Sequence, residues 1–256
     1  MSRLRGALLA GLVGAGLVTA APGFAAELKV LTAGAYKEIL LALVPGFERA
    51  TGSKVVLDNA TAGMLTRRIE SGEAFDVGVL GPAAIDALIE KGKMVAGSRT
   101  NLARVGVGVV VKAGAPQPAI ATVDEFKQAL LAAPSVAYID PKAGGSSGIY
   151  IAKLLQQLGI ADAVNAKARL IQGGLVAEHV ANGEAALGLH QISEILPVAG
   201  VTLVGPLPAE IQNYTVYAAG IGAAARDPAA ARALIERLHG PEAAAVLKAK
   251  GMEPAG

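Results

Sequence analysis

The sequence contains no cysteine and no tryptophan among its 256 residues, and it has only three histidines. Without cysteine the chain can form no disulfide, no zinc–thiolate site and no cysteine nucleophile. It also cannot carry a lipid on an N-terminal cysteine, so we expect the protein to be free rather than lipid-anchored. Because aromatic residues make up only 4% of the chain, stacking platforms for sugars or nucleobases are not predicted.

Metal-binding and nucleotide-binding motifs are also missing. The sequence has no H-x-x-x-H, no Asp-rich calcium loop and no cluster of carboxylates. It has no G-x-G-x-x-G and no G-x-x-x-x-G-K-[ST]. We therefore predict no metal, no cofactor and no bound nucleotide.

The first 25 residues have the pattern of a secretory signal peptide. Arg3 and Arg5 precede an apolar run from Ala7 to about Ala21, and small residues follow. The apolar run is short for a membrane span, which needs roughly 20 residues. We expect cleavage after Ala25 or the next alanine, and export to a bacterial periplasm.

Removal of residues 1–25 takes away two arginines and no acids, which leaves 21 basic and 21 acidic residues. The basic balance of the full chain therefore belongs to the signal segment. A mature protein with almost no net charge does not suggest a nucleic-acid partner. We expect a monomer that binds a small solute.

Apolar strands alternate with helical patterns along the rest of the chain, as in "ELKVLTA" followed by "AYKEILLALVPGFERATG". Such alternation predicts an α/β fold with a largely parallel sheet. We predict two lobes, one of residues 27–105 plus 213–256 and the other of residues 106–212. Strands that cross between them would act as a hinge, with the ligand in the cleft.

The loop "GGSSG" at residues 144–148 fits the G-x-S-x-G pattern of a serine hydrolase, with Ser146 as the nucleophile. A nucleophile elbow places the serine directly after a strand, whereas five residues separate "VAYID" from Ser146. His179 lies inside a helical pattern and His239 lies beside a helix-ending glycine, so only His190 would be near a cleft. A hydrolase therefore stays a secondary alternative, and we predict no catalytic residue.

Small-residue loops follow several strands and open helices. They are Thr32–Ala35, Asn59–Gly63, Gly144–Gly148 and Gly173–Gly174. Small residues let backbone N–H groups approach a ligand, and a helix N-terminus carries about half a positive charge. Loops at the carboxyl ends of strands meet in one crevice. Together they predict a site for a small anion.

Several stretches resemble the periplasmic molybdate-binding proteins, which have the two-lobe type II solute-binding fold. They are residues 27–81, "DPKAGGSSGIYIAKLLQQLGI", "VANGEAALGL" and "HGPEAAAVLKAKGM". The resemblance covers nearly the whole mature chain. It implies the soluble binding component of an ABC importer, which would work with a permease and an ATPase of the inner membrane.

The resemblance also implies how the ligand would be held. A serine of the family falls on Ala35, and a second falls on Thr61 or Ala62. Ser147 falls where the family offers a backbone N–H, and a tyrosine of the family is replaced by Gln191. Since donor hydroxyls are lost, a small organic carboxylate is favoured over molybdate or tungstate.

The resulting predicted ligand-binding set comprises Gly34, Ala35, Tyr36, Thr61, Ala62, Ser146, Ser147, Gly173, Gly174, His190, Gln191 and Tyr214. Importer and sensor remain alternatives, because a ligand-sensing partner of a membrane receptor would have the same fold and pocket.

Overall fold

The computed structural model describes residues 27–255. The predicted signal peptide lies outside the described residues. The strands are β1 (Glu27–Ala33), β2 (Lys54–Ala60), β3 (Val77–Leu80), β4 (Thr100–Lys112), β5 (Val136–Ile139), β6 (Ala168–Ile171), β7 (Leu187–Gln191), β8 (Val201–Pro206), β9 (Tyr214–Ile221) and β10 (Glu253–Pro254).

The α-helices are α1 (Lys37–Thr51), α2 (Ala62–Glu70), α3 (Pro82–Glu90), α4 (Val123–Ala132), α5 (Ser146–Gln157), α6 (Ala161–Asn165), α7 (Val176–Ala181), α8 (Ile192–Ile195), α9 (Pro228–His239) and α10 (Pro241–Ala249). Short 3-10 turns lie at Gly34–Tyr36, Pro141–Ala143 and Ala209–Ile211.

Helix starts follow ordinary capping chemistry. The Thr61 hydroxyl accepts a hydrogen bond from the Met64 N–H and caps α2. Thr122 and Glu125 form a reciprocal capping box at α4. Prolines occupy the first positions of α3, α9 and α10, where the missing N–H costs nothing.

The sheet runs in the order β2-β1-β3-β9-β4-β7-β5-β6, and β8 and β10 also pair with β4. β4 pairs with β9 as far as Gly106, and its next residues, Val107 to Val111, pair with β7. One long strand therefore connects two halves of a curled mixed sheet. The change of partner after Gly106 agrees with a lobe boundary near residue 105. The full division into lobes stays a prediction.

Apolar side chains form separate cores on the two halves. One core packs β1, β3, the first part of β4, β9, α1, α9 and α10 around Tyr36 and Phe47. Another packs the second part of β4, β5, β7, α4 and α5 around Phe126 and Tyr138. Each half of the sheet is thus stabilised by its own core.

The predicted α/β two-lobe fold is confirmed, with differences in detail. β4 begins at Thr100, five residues before the continuous apolar run that starts at Val105. Its first residues belong to the strand because they pair with β9 and β10. The helices α6 and α8 were not predicted. Each has at most five residues, which is too short to show a helical period.

Candidate ligand-binding cleft

A cleft of about 490 Å³ lies between the halves of the sheet. It is formed where β1, β2, β5, β6 and β7 end and the following helices or turns begin. The cleft brings together most of the predicted residues, namely Gly34, Ala35, Thr61, Ala62, Ser146, Ser147, Gly173, Gly174 and His190. The sequence argument that carboxyl ends of strands meet in one crevice therefore held here.

Three predicted residues do not line this cleft. Tyr36 is completely buried, and its hydroxyl donates to the carbonyl of Leu238 in the core. Tyr214 is 48% exposed and lies under the guanidinium of Arg104, outside the cleft. Gln191 lies behind the cleft wall, because the side chain after His190 on β7 points to the other face of the strand.

Helix starts provide backbone donors around the cleft. α5 has no side-chain cap, so the N–H groups of Ser146 and Ser147 in its first turn are available to a ligand. The 3-10 turn at Gly34–Tyr36 also starts without a side-chain cap. These donors come from both halves of the sheet and favour negative charge between them.

Direct contacts join the two sides of the cleft at one edge. The Thr61 hydroxyl donates to the Ala143 carbonyl, and the Gly63 N–H donates to the Gly144 carbonyl at 3.0 Å. A Cβ on Gly63 would lie 2.9 Å from the Gly144 Cα, so the two loops need glycine to approach this closely. The loops after β2 and β5 therefore hold the cleft closed.

A hydroxyl and amide network lies behind Ser146. The Gln191 Nε2 donates to the Ser146 Oγ at 2.8 Å, and the Tyr217 hydroxyl donates to the Gln191 Oε1 at 2.8 Å. The Ser146 and Tyr217 oxygens are 3.1 Å apart. Because Ser146 contacts an amide and a phenol, this arrangement does not provide the base that a serine nucleophile requires.

A buried carboxyl–imidazole pair forms another part of the cleft wall. The His190 Nε2 lies 3.3 Å from the Glu194 Oε2, and the two side chains are only 2% and 12% exposed. Burial lowers the pKa of His190 to about 3 and raises the pKa of Glu194 to about 8. Burial therefore favours the neutral form of both groups at pH 7.

Sequence reasoning missed two residues of this wall, Tyr217 and Glu194. Tyr217 lies on β9, three residues after Tyr214. Because side chains alternate along a strand, it points to the opposite face from Tyr214, toward the cleft. Glu194 belongs to the short helix α8, directly after β7. No local pattern marked it, because His190 lies on strand β7 and α8 is too short to show a helical period.

Residues 28–253 match the family model for bacterial extracellular solute-binding proteins. The chain belongs to this family. Among curated relatives, the aconitate isomerase of a Pseudomonas species is 34% identical over 252 residues, covering 94% of this chain and 95% of the relative. The molybdate-binding protein ModA of Azotobacter vinelandii is 30% identical over 251 residues, covering 93% and 94%.

Solved structures show the same fold for this solute-binding protein. The periplasmic molybdate-binding protein of Azotobacter vinelandii matches with a TM-score of 0.75 and 24% identity, over 88% of this chain and 98% of that one. The sulfate-binding protein SubI of Mycobacterium tuberculosis matches with a TM-score of 0.72 and 17% identity, over 90% and 87%.

These findings confirm the resemblance to the molybdate-binding family. The protein is a solute-binding protein of the ABC importer family, whose members bind small anions and work with ABC permeases. Within residues 27–255, no helix combines the length and hydrophobicity that crossing a membrane requires.

Proposed function

We propose that this solute-binding protein captures a small organic polycarboxylate between its two lobes, as the extracytoplasmic component of an importer. The observation that carries the proposal is the neutral Glu194 carboxyl in the cleft wall, facing Gly34 and His190. A protonated carboxyl can donate a hydrogen bond to a ligand carboxylate, which an ionised one cannot do.

The donor set supports a carboxylate rather than a tetrahedral oxyanion. Ala35 lines the cleft at the position where the family resemblance places a serine hydroxyl. A hydrogen bond to a charged acceptor contributes about 1.5–3 kcal/mol, so a missing hydroxyl weakens the capture of molybdate. A cavity of about 490 Å³ is large for a five-atom oxyanion and suits an organic ligand.

The side chains of the cleft carry no surplus of positive charge, so an anion there would be held mainly by backbone groups. Lys37 is the basic side chain that lines it, and the acidic side chains there are Glu38, Glu178 and Glu194. The uncapped start of α5 and the turn at Gly34 supply partial positive charge on opposite sides. A ligand with carboxylates at both ends can contact both donor groups at once.

The comparisons support the same ligand class. One relative at 34% identity is named for its action on aconitate, an unsaturated tricarboxylate, whereas the relative at 30% identity is named for binding molybdate. Both cover nearly the whole chain. The substitution at Ala35 and the acid at Glu194 favour the tricarboxylate.

A thermal-shift panel on protein starting at Glu27 tests the proposal. Aconitate and its saturated analogue tricarballylate should raise Tm more than molybdate, tungstate or sulfate. Ligand at 100 times its Kd stabilises the folded state by about 2.7 kcal/mol, or roughly 5–11 °C for a chain of this size. A larger shift with molybdate than with any carboxylate would contradict the proposal.

A pair of matched variants tests whether the ligand binds in this cleft. Ala62→Asp adds a negative charge at the start of α2 in the cleft, where an acid suits the helix but repels an anionic ligand. Ala83→Asp adds the same charge in the first turn of α3, at an exposed position. Loss of the tricarballylate shift in the first variant alone is expected, and equal shifts in both would argue against this cleft.

A second candidate function is isomerisation of the captured ligand, so that the protein would be an enzyme as well as a binder. The carboxyl–imidazole pair of Glu194 and His190 favours it, because perturbed acid–base groups concentrate at catalytic sites. The relationship to an aconitate isomerase points the same way.

A further inference from the structure

Resting on the proposed capture of a polycarboxylate, we infer that Glu194 moves a proton between two carbons of a bound unsaturated ligand, and that Gly34 and His190 position its carboxyl. The ligand class is a β,γ-unsaturated carboxylate with an acidic CH₂ next to a carboxylate. Aconitate is the accessible probe of this class.

Each oxygen of the Glu194 carboxyl has a close neighbour. Its Oε2 lies 3.3 Å from the His190 Nε2, and its Oε1 lies over Gly34, where a Cβ would be only 2.5 Å away. The side chain is 12% exposed and lines the ligand cleft. A buried acid that still faces the ligand space is placed for proton transfer to a ligand rather than to solvent.

His190 keeps this carboxyl in place without competing for the proton. Its Nδ1 is buried and has no hydrogen-bond partner among residues 27–255. Burial holds the pKa of His190 at about 3, so the ring stays neutral throughout the working range. A neutral imidazole can donate its Nε2–H to the ionised Glu194 and orient that carboxylate.

The proposed step conserves atoms and electrons. Ionised Glu194 takes a proton from the ligand CH₂, the C–H electron pair forms a new C=C bond, and the old C=C pair moves onto the adjoining carboxylate as a dienolate. Glu194 then returns the proton to the far carbon of the allylic unit, and the dienolate electrons form the new C–H bond. The double bond has moved by one position, and Glu194 is ionised again.

Backbone donors share the cleft with Glu194. The uncapped N–H groups at the start of α5, including those of Ser146 and Ser147, line the same cleft as Glu194. Fixed N–H dipoles aimed at a developing oxyanion supply the electrostatic stabilisation that such a step requires. Ser146 and Ser147 therefore contribute through their N–H groups.

The titration of Glu194 agrees with this role. Its pKa of about 8 leaves about one carboxyl in ten ionised at pH 7, and a base with a pKa near the working pH is efficient. The other ionisable groups that line the cleft are His190, Tyr217, Lys37, Glu38 and Glu178. Burial raises the pKa of Tyr217, so it stays neutral over the same range.

Proton NMR of trans-aconitate in D₂O tests the inference, with calorimetric binding of tricarballylate measured on the same samples. Wild-type protein should exchange ligand CH for deuterium and form the shifted isomer. Glu194→Gln keeps a donor toward the ligand but has no base, so its rate of exchange should fall at least 100-fold more than its affinity for tricarballylate. Glu236→Gln removes a charge from an exposed position on α9 and should match wild type.

Two further readouts separate proton transfer from a structural role. The kcat/KM of wild type should rise with pH between 6.5 and 8 and then level off, since it reports groups of the free protein. Gly34→Ala adds a Cβ against the Glu194 Oε1. It should lower kcat at least tenfold more than it weakens tricarballylate binding, because it displaces the base.

The outcomes distinguish this inference from the proposed function. Binding without deuterium exchange in wild type overturns the proton transfer and leaves the binding function standing. Absence of tricarballylate binding refutes the binding function itself. Exchange that persists at the wild-type rate in Glu194→Gln overturns the assignment of this residue, and Glu194→Asp, which moves the acid back by one methylene, should then also behave as wild type.

Discussion

Replacement of Glu194 by glutamine should stabilise the protein relative to wild type, and this gain should grow as the pH rises. The ordinary pKa of 4.5 is raised to about 8 in the folded state, so folding keeps a proton that the unfolded chain loses. A group with a raised carboxyl pKa lowers stability progressively from about pH 4.5 to pH 8. Glutamine is neutral at every pH, and the variant therefore escapes this loss.

The size of the effect follows from the pKa difference. Each unit corresponds to 1.36 kcal/mol, so the cost at pH 7.5 is about 4 kcal/mol, against about 1 kcal/mol at pH 5. Relaxation and water entry reduce such values in real proteins, and we expect a gain of about 2–4 kcal/mol at pH 7.5. His190 acts in the opposite direction below pH 6.5 and is present in both proteins.

Urea unfolding of wild type, Glu194→Gln and Glu236→Gln at pH 5 and pH 7.5 provides the assay. The first variant should gain stability relative to wild type between the two pH values, and the second should not. If the free energy of unfolding changed equally with pH in wild type and Glu194→Gln, Glu194 would not be a buried acid that is neutral in the folded protein. A gain in stability with a loss of proton exchange would show that the acid is retained for function.

Four other substitutions, one of them a control, test the packing around the cleft. Gly148→Ala should cost at least about 3 kcal/mol of unfolding free energy by urea titration, because a Cβ would overlap the Ile139 carbonyl. Gly173→Ala has open space and should stay within about 0.5 kcal/mol; equal costs would contradict the reasoning. Thr61→Val removes both a helix cap and a contact across the cleft, so thermal unfolding should show a loss of about 1–2 kcal/mol, and no loss would argue against both roles. Tyr217→Phe strips one donor from the network behind the cleft and should cost about 1–3 kcal/mol by urea unfolding, whereas a neutral result would mean that water replaces it.

The fold could be predicted because its signals are local and repeated. The alternation of apolar strands with helices is set by short stretches of sequence, and the structure contains it. The loops at strand ends were also predictable, since parallel strands place their carboxyl ends together. The two short helices gave too little pattern to be recognised.

The side chains of the site were less predictable because their direction depends on tertiary packing. Tyr36 and Tyr214 lie close in sequence to cleft loops, yet one is fixed in the core by Leu238 and the other faces Arg104. Tyr217 and Glu194 were missed because only the assembled sheet brings β9 and α8 next to the start of α5. The pKa of Glu194 also comes from burial, which no single stretch of sequence encodes.

A competition titration by calorimetry tests the central claim most directly, namely that the cleft prefers a polycarboxylate. Protein starting at Glu27 is titrated with trans-aconitate in the absence and presence of saturating molybdate, at pH 7.5. The donor hydroxyl that is missing at Ala35 would cost molybdate about 1.5–3 kcal/mol, which is roughly ten- to hundredfold in affinity. The account predicts that trans-aconitate binds with the lower Kd and displaces molybdate, whereas nanomolar molybdate binding without any heat from carboxylates would contradict it.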